Sequence, residues 1–163
     1  MKTYYFAYGS NMDQVEFYRR LNRDREREFL RWSGVLPDFT LRFAKRSSLN
    51  PRVGYATVDA EAGQQVEGVV YEVSVAELAT LDRIELVPDH YIRLPQTVVI
   101  SAIGKSVLAE CYFATPAWRE SGLLPTQAYI ARMQNAGALI SDEYARALAA
   151  HATIEQEENA PVA

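Results

Sequence analysis

Two short stretches of the chain carry the residue types best suited to catalysis. The first is YYFAYGSNM, in which an aromatic strand runs directly into Gly9-Ser10-Asn11. Backbone N–H groups in such a strand-to-helix loop can bind an anion, and the following helix adds a partial positive charge. The loop has neither the GxxxxGK[ST] pattern of a P-loop nor GxGxxG. From the residues alone, an ordinary turn with a serine cap stays open as the alternative.

Glu85 is the second candidate because it lies in line with the apolar face of a short helix. Leu78, Leu81 and Glu85 are spaced three and then four residues apart, which places them on one helix face. Burial raises the pKa of a carboxylate, and a carboxylate that titrates near neutral pH is a competent general base. Two alternatives stay open: the helix ends at Ile84 and Glu85 is exposed to solvent, or Asp82 is the reactive carboxylate.

The other reactive side chains fit structural roles better. Ser10 lacks the GxSxG pattern of a serine nucleophile, and only His90 and His151 are present to act as its base. Cys111 is the one cysteine, which excludes an internal disulfide and leaves too few ligands for a thiolate zinc site. Its position on a strand predicts a buried thiol. We therefore predict no metal site.

Composition and charge favour a soluble protein with one domain and one core. Of the 163 residues, 48% are hydrophobic, which is enough for one core. The net charge of −4 argues against nucleic-acid binding, and the mixed charges of Arg19–Arg31 are typical of a solvated surface. No apolar run approaches the roughly 20 residues of a membrane span. No signal peptide opens the chain, so we expect a cytoplasmic protein.

Strand patterns dominate the first two thirds of the chain, and helical patterns dominate the end. Turn-forming residues predict a strand break at Pro37-Asp38 and a hairpin around Glu61–Gly63. Ser74 and Glu77 form a capping box that starts the one short helix inserted among the strands. Because no alternating βαβ pattern is present, we predict an α+β fold with a curved or barrel-like mixed sheet.

The helix caps and the chain ends complete the predicted organisation. Ser10 and Asp13 have capping-box spacing at the first helix, and Ser141 is placed to cap the last one. We predict a single domain over residues 1–153. Residues 154–163 are acidic and contain a proline, so we predict a flexible tail.

The motifs also have a recognisable order along the chain. YFAYGSNM is followed by PDFTLRF, GYATV and EGVVYEV, then by LDRIE at the end of the short helix, and later by HYIRL and PTQAYI. This order resembles the γ-glutamylcyclotransferase-like family over roughly Lys2 to Leu148. The resemblance implies a small mixed β-barrel flanked by helices. It also implies an enzyme that uses no cofactor and releases 5-oxoproline and a free amine or amino acid from a γ-glutamyl amide.

The resemblance implies a role for each matching residue. Glu85 matches the catalytic acid/base, and Tyr91 and Tyr129 match tyrosines that line the pocket, although from the residues alone each tyrosine either packs or lines a cavity. In LDRIE, Arg83-Ile84 stand where many relatives have more polar residues, and Leu86 stands where a glycine often follows the glutamate. These departures from the family pattern concern the identity of the substrate more than the chemistry. The residues that match the loop around the γ-glutamyl moiety are Tyr8, Gly9, Ser10 and Asn11.

The loop lacks a lysine, and the chemistry of the implied substrate explains why. A γ-glutamyl head carries an α-carboxylate and an α-ammonium. Backbone N–H groups can hold the anionic oxygen without a full positive charge, whereas a lysine in the loop would disfavour the ammonium beside it. We therefore expect a cradle built from the backbone.

Three functions stay open at this point. The leading one is a γ-glutamyl cyclotransferase acting on a small γ-glutamyl substrate, with a γ-glutamylamine cyclotransferase as a variant. The second is a non-catalytic small-molecule-binding module on the same fold. The third is an interaction protein that uses Arg19–Arg31. The sequence does not determine the leaving amine, and a homodimer stays open.

Overall fold

Five strands form one closed barrel in a computed structural model that describes residues 1–22 and 30–155. The strands are β1 Lys2–Ala7, β2 Arg31–Arg46, β3 Gly54–Ser74, β4 Tyr91–Ile100 and β5 Lys105–Ala114. Around the barrel their order is β1-β3-β2-β4-β5. β1 and β5 pair in parallel, and the other pairs are antiparallel. The predicted α+β fold with a barrel-like mixed sheet is confirmed.

Four α-helices accompany the barrel in these residues. As predicted, Ser141 caps the last of them, because its Oγ accepts a hydrogen bond from the Tyr144 N–H at 3.1 Å. The helices are α1 Gln14–Arg20, α2 Val75–Ile84, α3 Gln127–Gln134 and α4 Asp142–Ala149.

The long strands β2 and β3 contain an irregularity where the sequence predicts turns. The predicted break at Pro37-Asp38 and the hairpin around Glu61–Gly63 are wrong, because both strands run through these positions as one antiparallel pair. At the shift in register, Asp38 alone is opposite residues 61–64. Asp38 and Gly63 have positive φ, and Asp38 Oδ1 accepts a hydrogen bond from the Gly63 N–H at 2.9 Å. The turn-forming residues therefore form a bulge within the strand pair.

A pair of facing glycines lets β1 pack closely against β2 and β3. Gly34 and Gly68 are directly opposite each other across the strand pair. The ring of the fully buried Phe6 lies over both, since a Cβ added to Gly34 or Gly68 would be 3.2 Å or 2.8 Å from its Cε2. A larger residue at either glycine would displace this ring. The packing fixes the end of β1 immediately before the Tyr8–Asn11 loop.

Helix α2 begins and ends at residues that local signals define. Ser74 Oγ accepts from the Glu77 N–H at 3.2 Å, and Glu77 Oε2 accepts from the Ser74 N–H at 2.7 Å, so the predicted capping box is confirmed. Leu78 and Leu81 are buried against the core. The last helical residue is Ile84, which makes Glu85 the C-terminal cap.

Helix α1 begins with a different cap from the one predicted. Asp13 is itself the N-cap, and its Oδ1 accepts from the N–H groups of Val15 at 2.9 Å and Glu16 at 3.1 Å. The predicted capping box between Ser10 and Asp13 is wrong, because a separate 3₁₀ turn covers Ser10–Met12. This turn overlaps the predicted Tyr8–Asn11 loop and leaves the cap of α1 to Asp13.

Two predicted segments lie partly outside the described residues. Residues 156–163, most of the predicted tail, are outside them, whereas Ile154 pairs with Thr126. Residues 23–29 of the mixed-charge stretch Arg19–Arg31 are also outside. Among the residues described, no helix is long and apolar enough to cross a membrane.

Candidate active site

One cavity of about 160 Å³ is lined by all seven residues predicted for the site. It lies among the end of β1, the C-terminal end of α2, the start of β4 and helix α3. Glu85 therefore faces the same cavity as the loop that follows β1, although the two are far apart in sequence. The seven residues are Tyr8, Gly9, Ser10, Asn11, Glu85, Tyr91 and Tyr129.

The loop presents backbone N–H groups at the open end of its 3₁₀ turn. Two hydrogen bonds close the turn, from the Met12 N–H to Gly9 O at 3.0 Å and from the Asp13 N–H to Ser10 O at 3.1 Å. The N–H groups of Ser10 and Asn11 precede these bonds, so they have no acceptor within the turn. The Ser10 N–H approaches the Tyr129 hydroxyl oxygen, which leaves the Asn11 N–H as the open donor of the predicted anion cradle.

Gly9 leaves room for the hydroxyl of Tyr129. A Cβ added at Gly9 would lie only 2.6 Å from Tyr129 Oη, closer than real Cβ atoms approach another heavy atom. The same hydroxyl accepts a hydrogen bond from the Ala56 N–H at 3.1 Å, and Tyr91 donates its hydroxyl proton to Ala56 O at 2.9 Å. One residue of β3 therefore holds both pocket tyrosines beside the loop.

Both of these tyrosines stay protonated at neutral pH. Burial raises the pKa of Tyr129 to about 12, and burial also raises the pKa of Tyr91 well above its usual value. Tyr91 already gives its proton to a carbonyl. Tyr129 accepts from a backbone N–H, so its own proton is free for an acceptor inside the cavity.

Asn11 is held by hydrogen bonds at two atoms and has one open acceptor. Its Nδ2 donates to Tyr5 Oη at 2.9 Å, and its backbone oxygen accepts from Tyr71 Oη at 2.9 Å. Its Oδ1 is buried without a hydrogen-bond partner in the part of the chain that the structure describes. A buried polar atom without a partner costs about 1–3 kcal/mol, so a ligand N–H that pairs with Oδ1 would recover this free energy.

The side chain of Glu85 is 19% exposed and turns into the cavity. One alternative from the sequence was that the helix ends at Ile84 and that Glu85 is exposed to solvent. The helix does end at Ile84, but the Glu85 side chain faces the cavity. Burial raises the pKa of its carboxyl, while the cations of Arg20 and Lys45 partly oppose this shift. Arg20 Nη1 lies 3.5 Å from Glu85 Oε1. A carboxylate with a raised pKa can take and return a proton near neutral pH.

The rival carboxylate, Asp82, has partners of its own. Arg93 donates to both of its oxygens, at 2.8 Å and 3.1 Å, and Tyr112 Oη donates at 2.8 Å. Asp82 does not line the cavity. Among the described residues, no hydrogen bond joins Ser10 Oγ to His90, whose Nδ1 lies 2.9 Å from Lys45 Nζ. The residues described contain no group of three His, Cys, Asp or Glu that could hold a metal ion.

Two cations that the sequence analysis did not assign to the site, Arg20 and Lys45, line the cavity from other parts of the chain. Arg20, at the end of α1, forms an ion pair with Glu16, with 3.2 Å between Nε and Oε1, and its Nη1 also approaches Glu85. Lys45, on β2, lines the cavity beside His90. The loop itself contains no cation, whereas two Lys or Arg side chains of the described residues line the cavity.

Comparisons with known proteins agree with this geometry. The sequence model of the family described as γ-glutamyl cyclotransferase, AIG2-like, matches residues 5–131, well over half of the chain. The chain belongs to this family. No curated protein matches the sequence significantly.

Solved structures resemble this family member over nearly their whole length. A structure titled γ-glutamyl cyclotransferase is 25% identical with a TM-score of 0.81, and covers 100% of this chain and 94% of its own. An uncharacterized human protein is 25% identical with a TM-score of 0.83, at 98% and 94% coverage. A yeast γ-glutamyl cyclotransferase specific to glutathione is 14% identical with a TM-score of 0.58, at 90% and 93% coverage, and shares the fold. Family and fold together support a cyclotransferase enzyme.

Sequence reasoning missed the cationic part of this AIG2-like site. One signal for Lys45 was available, because Phe43 and Lys45 are alternate residues of β2 and so share a strand face, and both are buried on the inner face. Arg20 carries a weaker signal, namely its position four residues after Glu16. Neither signal indicates which cavity the cation reaches, because that depends on how distant elements pack.

Proposed function

We propose that the protein is a γ-glutamyl cyclotransferase that converts a γ-glutamyl amide into 5-oxoproline and a free amine. The observation that carries this proposal is the shared cavity of Glu85 and the Tyr8–Asn11 loop. A base beside an anion cradle is what the reaction needs, because the substrate supplies its own nucleophile. Membership of the AIG2-like family supports the same reaction class.

The loop and its neighbours hold the glutamyl head in this proposal. The Asn11 N–H binds the α-carboxylate, beside the Ser10 N–H that approaches the Tyr129 hydroxyl. The open Asn11 Oδ1 accepts a hydrogen bond from the α-ammonium. The free proton of Tyr129 points to a third role, donation to the amide oxygen as negative charge develops on it.

Glu85 then moves one proton twice. Its carboxylate removes a proton from the α-ammonium, and the resulting amine attacks the δ-carbonyl carbon to form a five-membered ring whose nitrogen still carries one extra proton. The bond from that carbon to the amide nitrogen breaks as Glu85 returns its proton to the departing nitrogen. The ring nitrogen then loses its extra proton, which the released amine takes up to leave as an ammonium ion. Intramolecular orientation contributes roughly 7–11 kcal/mol, and positioned proton transfer contributes typically about 10²–10⁴-fold in rate.

The test replaces Glu85 with glutamine and measures 5-oxoproline release from a γ-glutamyl amino acid. Glu85→Gln keeps the shape of the side chain but cannot accept the ammonium proton. We expect kcat to fall by about 10²-fold or more while KM changes little, because only a proton-transfer role is removed. Circular dichroism checks that the fold is intact.

Asp82→Asn is the matched control, because it changes a carboxylate on the same helix that lies outside the cavity. Its 5-oxoproline release should stay much closer to wild type. If Glu85→Gln turned over at the wild-type rate, or if only Asp82→Asn lost turnover, the assignment of the base to Glu85 would be wrong. Binding without turnover across a panel of γ-glutamyl amides would instead support a non-catalytic binding module.

A further inference from the structure

Lys45 occupies an unusual position for a lysine. The residue is only 5% exposed, and its Nζ lies 2.9 Å from His90 Nδ1. The ammonium is also 5.0 Å from the ring centroid of Trp118 and 5.6 Å from those of Tyr55 and Tyr91. Its immediate neighbours are therefore an imidazole and three aromatic rings, together with the open cavity.

This ammonium has no carboxylate within ion-pair distance among the described residues. Burial lowers the pKa of Lys45 to about 8, although the charge of Glu85 opposes this, so the side chain stays mainly protonated at neutral pH. A buried charge without a counter-ion is costly. Cation–π contacts and one imidazole nitrogen compensate it only in part. An anion that enters the cavity would supply the counter-ion that the Lys45 ammonium lacks.

His90 is positioned to orient the Lys45 ammonium as a neutral hydrogen-bond acceptor, and it does not act as a second cation. Its ring stacks on Trp118 with centroids 3.6 Å apart, which fixes the imidazole plane. Burial lowers the pKa of His90, and the charge of Lys45 lowers it further. The neutral Nδ1 can then accept one N–H of the ammonium, which leaves the other two donors for a ligand.

We propose that Lys45, oriented by His90, binds a carboxylate on the leaving half of the substrate. The substrate class is then a γ-glutamyl amino acid or peptide with a carboxylate near the scissile amide, in preference to a γ-glutamyl amine. This inference rests on the proposed function, in which the loop already binds the glutamyl α-carboxylate. The ammonium of Lys45 contacts His90 and three aromatic rings, and none of the contacts of the described residues joins it to the Tyr8–Asn11 loop. The lysine therefore lies beyond the glutamyl cradle, on the side that we assign to the leaving group.

The charges of the cavity also disfavour the other substrate class. A leaving group with an ammonium would add a further positive charge to a cavity that already contains Arg20, Lys45 and the α-ammonium of the glutamyl head. In an α-amino acid leaving group, one carbon separates the departing nitrogen from the carboxylate. That short spacing suits an ammonium that lies close to the acid/base.

The experiment compares two substrates that differ only in this carboxylate: γ-glutamyl-alanine and γ-glutamyl-ethylamine. The kcat/KM for 5-oxoproline release is measured for the wild type, Lys45→Met and the control Lys105→Met, in which an exposed lysine is changed. We expect the wild type and Lys105→Met to prefer γ-glutamyl-alanine by about 10–100-fold, typical of a charge-assisted contact. In Lys45→Met the ratio should fall to near one. Both substrates use the same Glu85, so a change in its pKa cancels in the ratio.

Each outcome of this comparison decides the proposal. Equal wild-type activity on the two substrates overturns it without any variant, so the test survives a Lys45→Met protein that fails to fold. An unchanged ratio in folded Lys45→Met also overturns it, because the lysine would then serve the glutamyl head or the fold. Absence of 5-oxoproline from both substrates with wild-type protein is a different result, since it contradicts the proposed function itself.

Discussion

The contact between Gly9 and Tyr129 gives the sharpest prediction for the geometry of the site. In Gly9→Ala, the new methyl carbon would lie 2.6 Å from Tyr129 Oη and 3.4 Å from Ala56 Cβ. The first distance requires the tyrosine or the loop to move. Either movement disturbs the hydrogen bond from the Ala56 N–H to Tyr129 Oη and displaces the donors of the loop.

The tyrosine has little freedom to move. It is 6% exposed, and its ring packs against Tyr55, with centroids 5.4 Å apart, and against Phe43, at 6.2 Å. Overpacking of a well-packed core typically costs about 1–3 kcal/mol. For a chain of this size, each kcal/mol lowers the Tm by roughly 2–4 °C. We therefore expect Gly9→Ala to destabilise the fold by this amount and to lower kcat/KM as well.

The control removes the atom that clashes. In Tyr129→Phe the nearest ring atom to the added methyl is Cζ at 3.7 Å, an ordinary van der Waals distance. Free energies of unfolding from denaturant titrations of the wild type, both single variants and the double variant form a double-mutant cycle. The Ala56 N–H that Tyr129→Phe leaves unpaired, and the backbone effect of alanine, both cancel in the coupling energy.

We expect Gly9→Ala to cost about 1–3 kcal/mol with tyrosine at position 129 and well under 1 kcal/mol with phenylalanine there. Equal costs in the two backgrounds would refute the reasoning, because the hydroxyl would then not be what excludes a side chain at Gly9. Such a result would also remove the argument that this contact sets the loop conformation.

Three further predictions concern the charge and chemistry of the site. Arg20→Met removes a cation that lowers the pKa of Glu85, so the acidic limb of the kcat/KM–pH profile should shift to higher pH; the exposed Arg19→Met should not shift it, and a shift to lower pH would contradict the assignment. A chelator should leave turnover unchanged, and loss of activity restored by a divalent ion would disprove a metal-free mechanism. Burial raises the pKa of Cys111 to about 12, so mass spectrometry should find this thiol unmodified by iodoacetamide in the native protein and alkylated only after denaturation.

Local signals were sufficient for much of the site. The capping box of Ser74 and Glu77 starts α2 at a defined residue, and the helical period then places Glu85 in line with Leu78 and Leu81. An aromatic strand followed by small residues defines the Tyr8–Asn11 loop in the same way. These features depend on residues within one or two turns of each other, so the sequence alone determines them.

Tertiary structure decided the features that depend on distant residues. Turn-forming residues at Asp38 and Gly63 have the same local preference in a hairpin and in a bulge, and only the pairing of β2 with β3 selects the bulge. Asp82 and Glu85 lie on the same helix face by spacing, yet Arg93 binds the first while the cavity receives the second. The convergence of Arg20 and Lys45 on Glu85 likewise follows from packing, because Coulomb interactions depend on distance in space and not on separation along the chain.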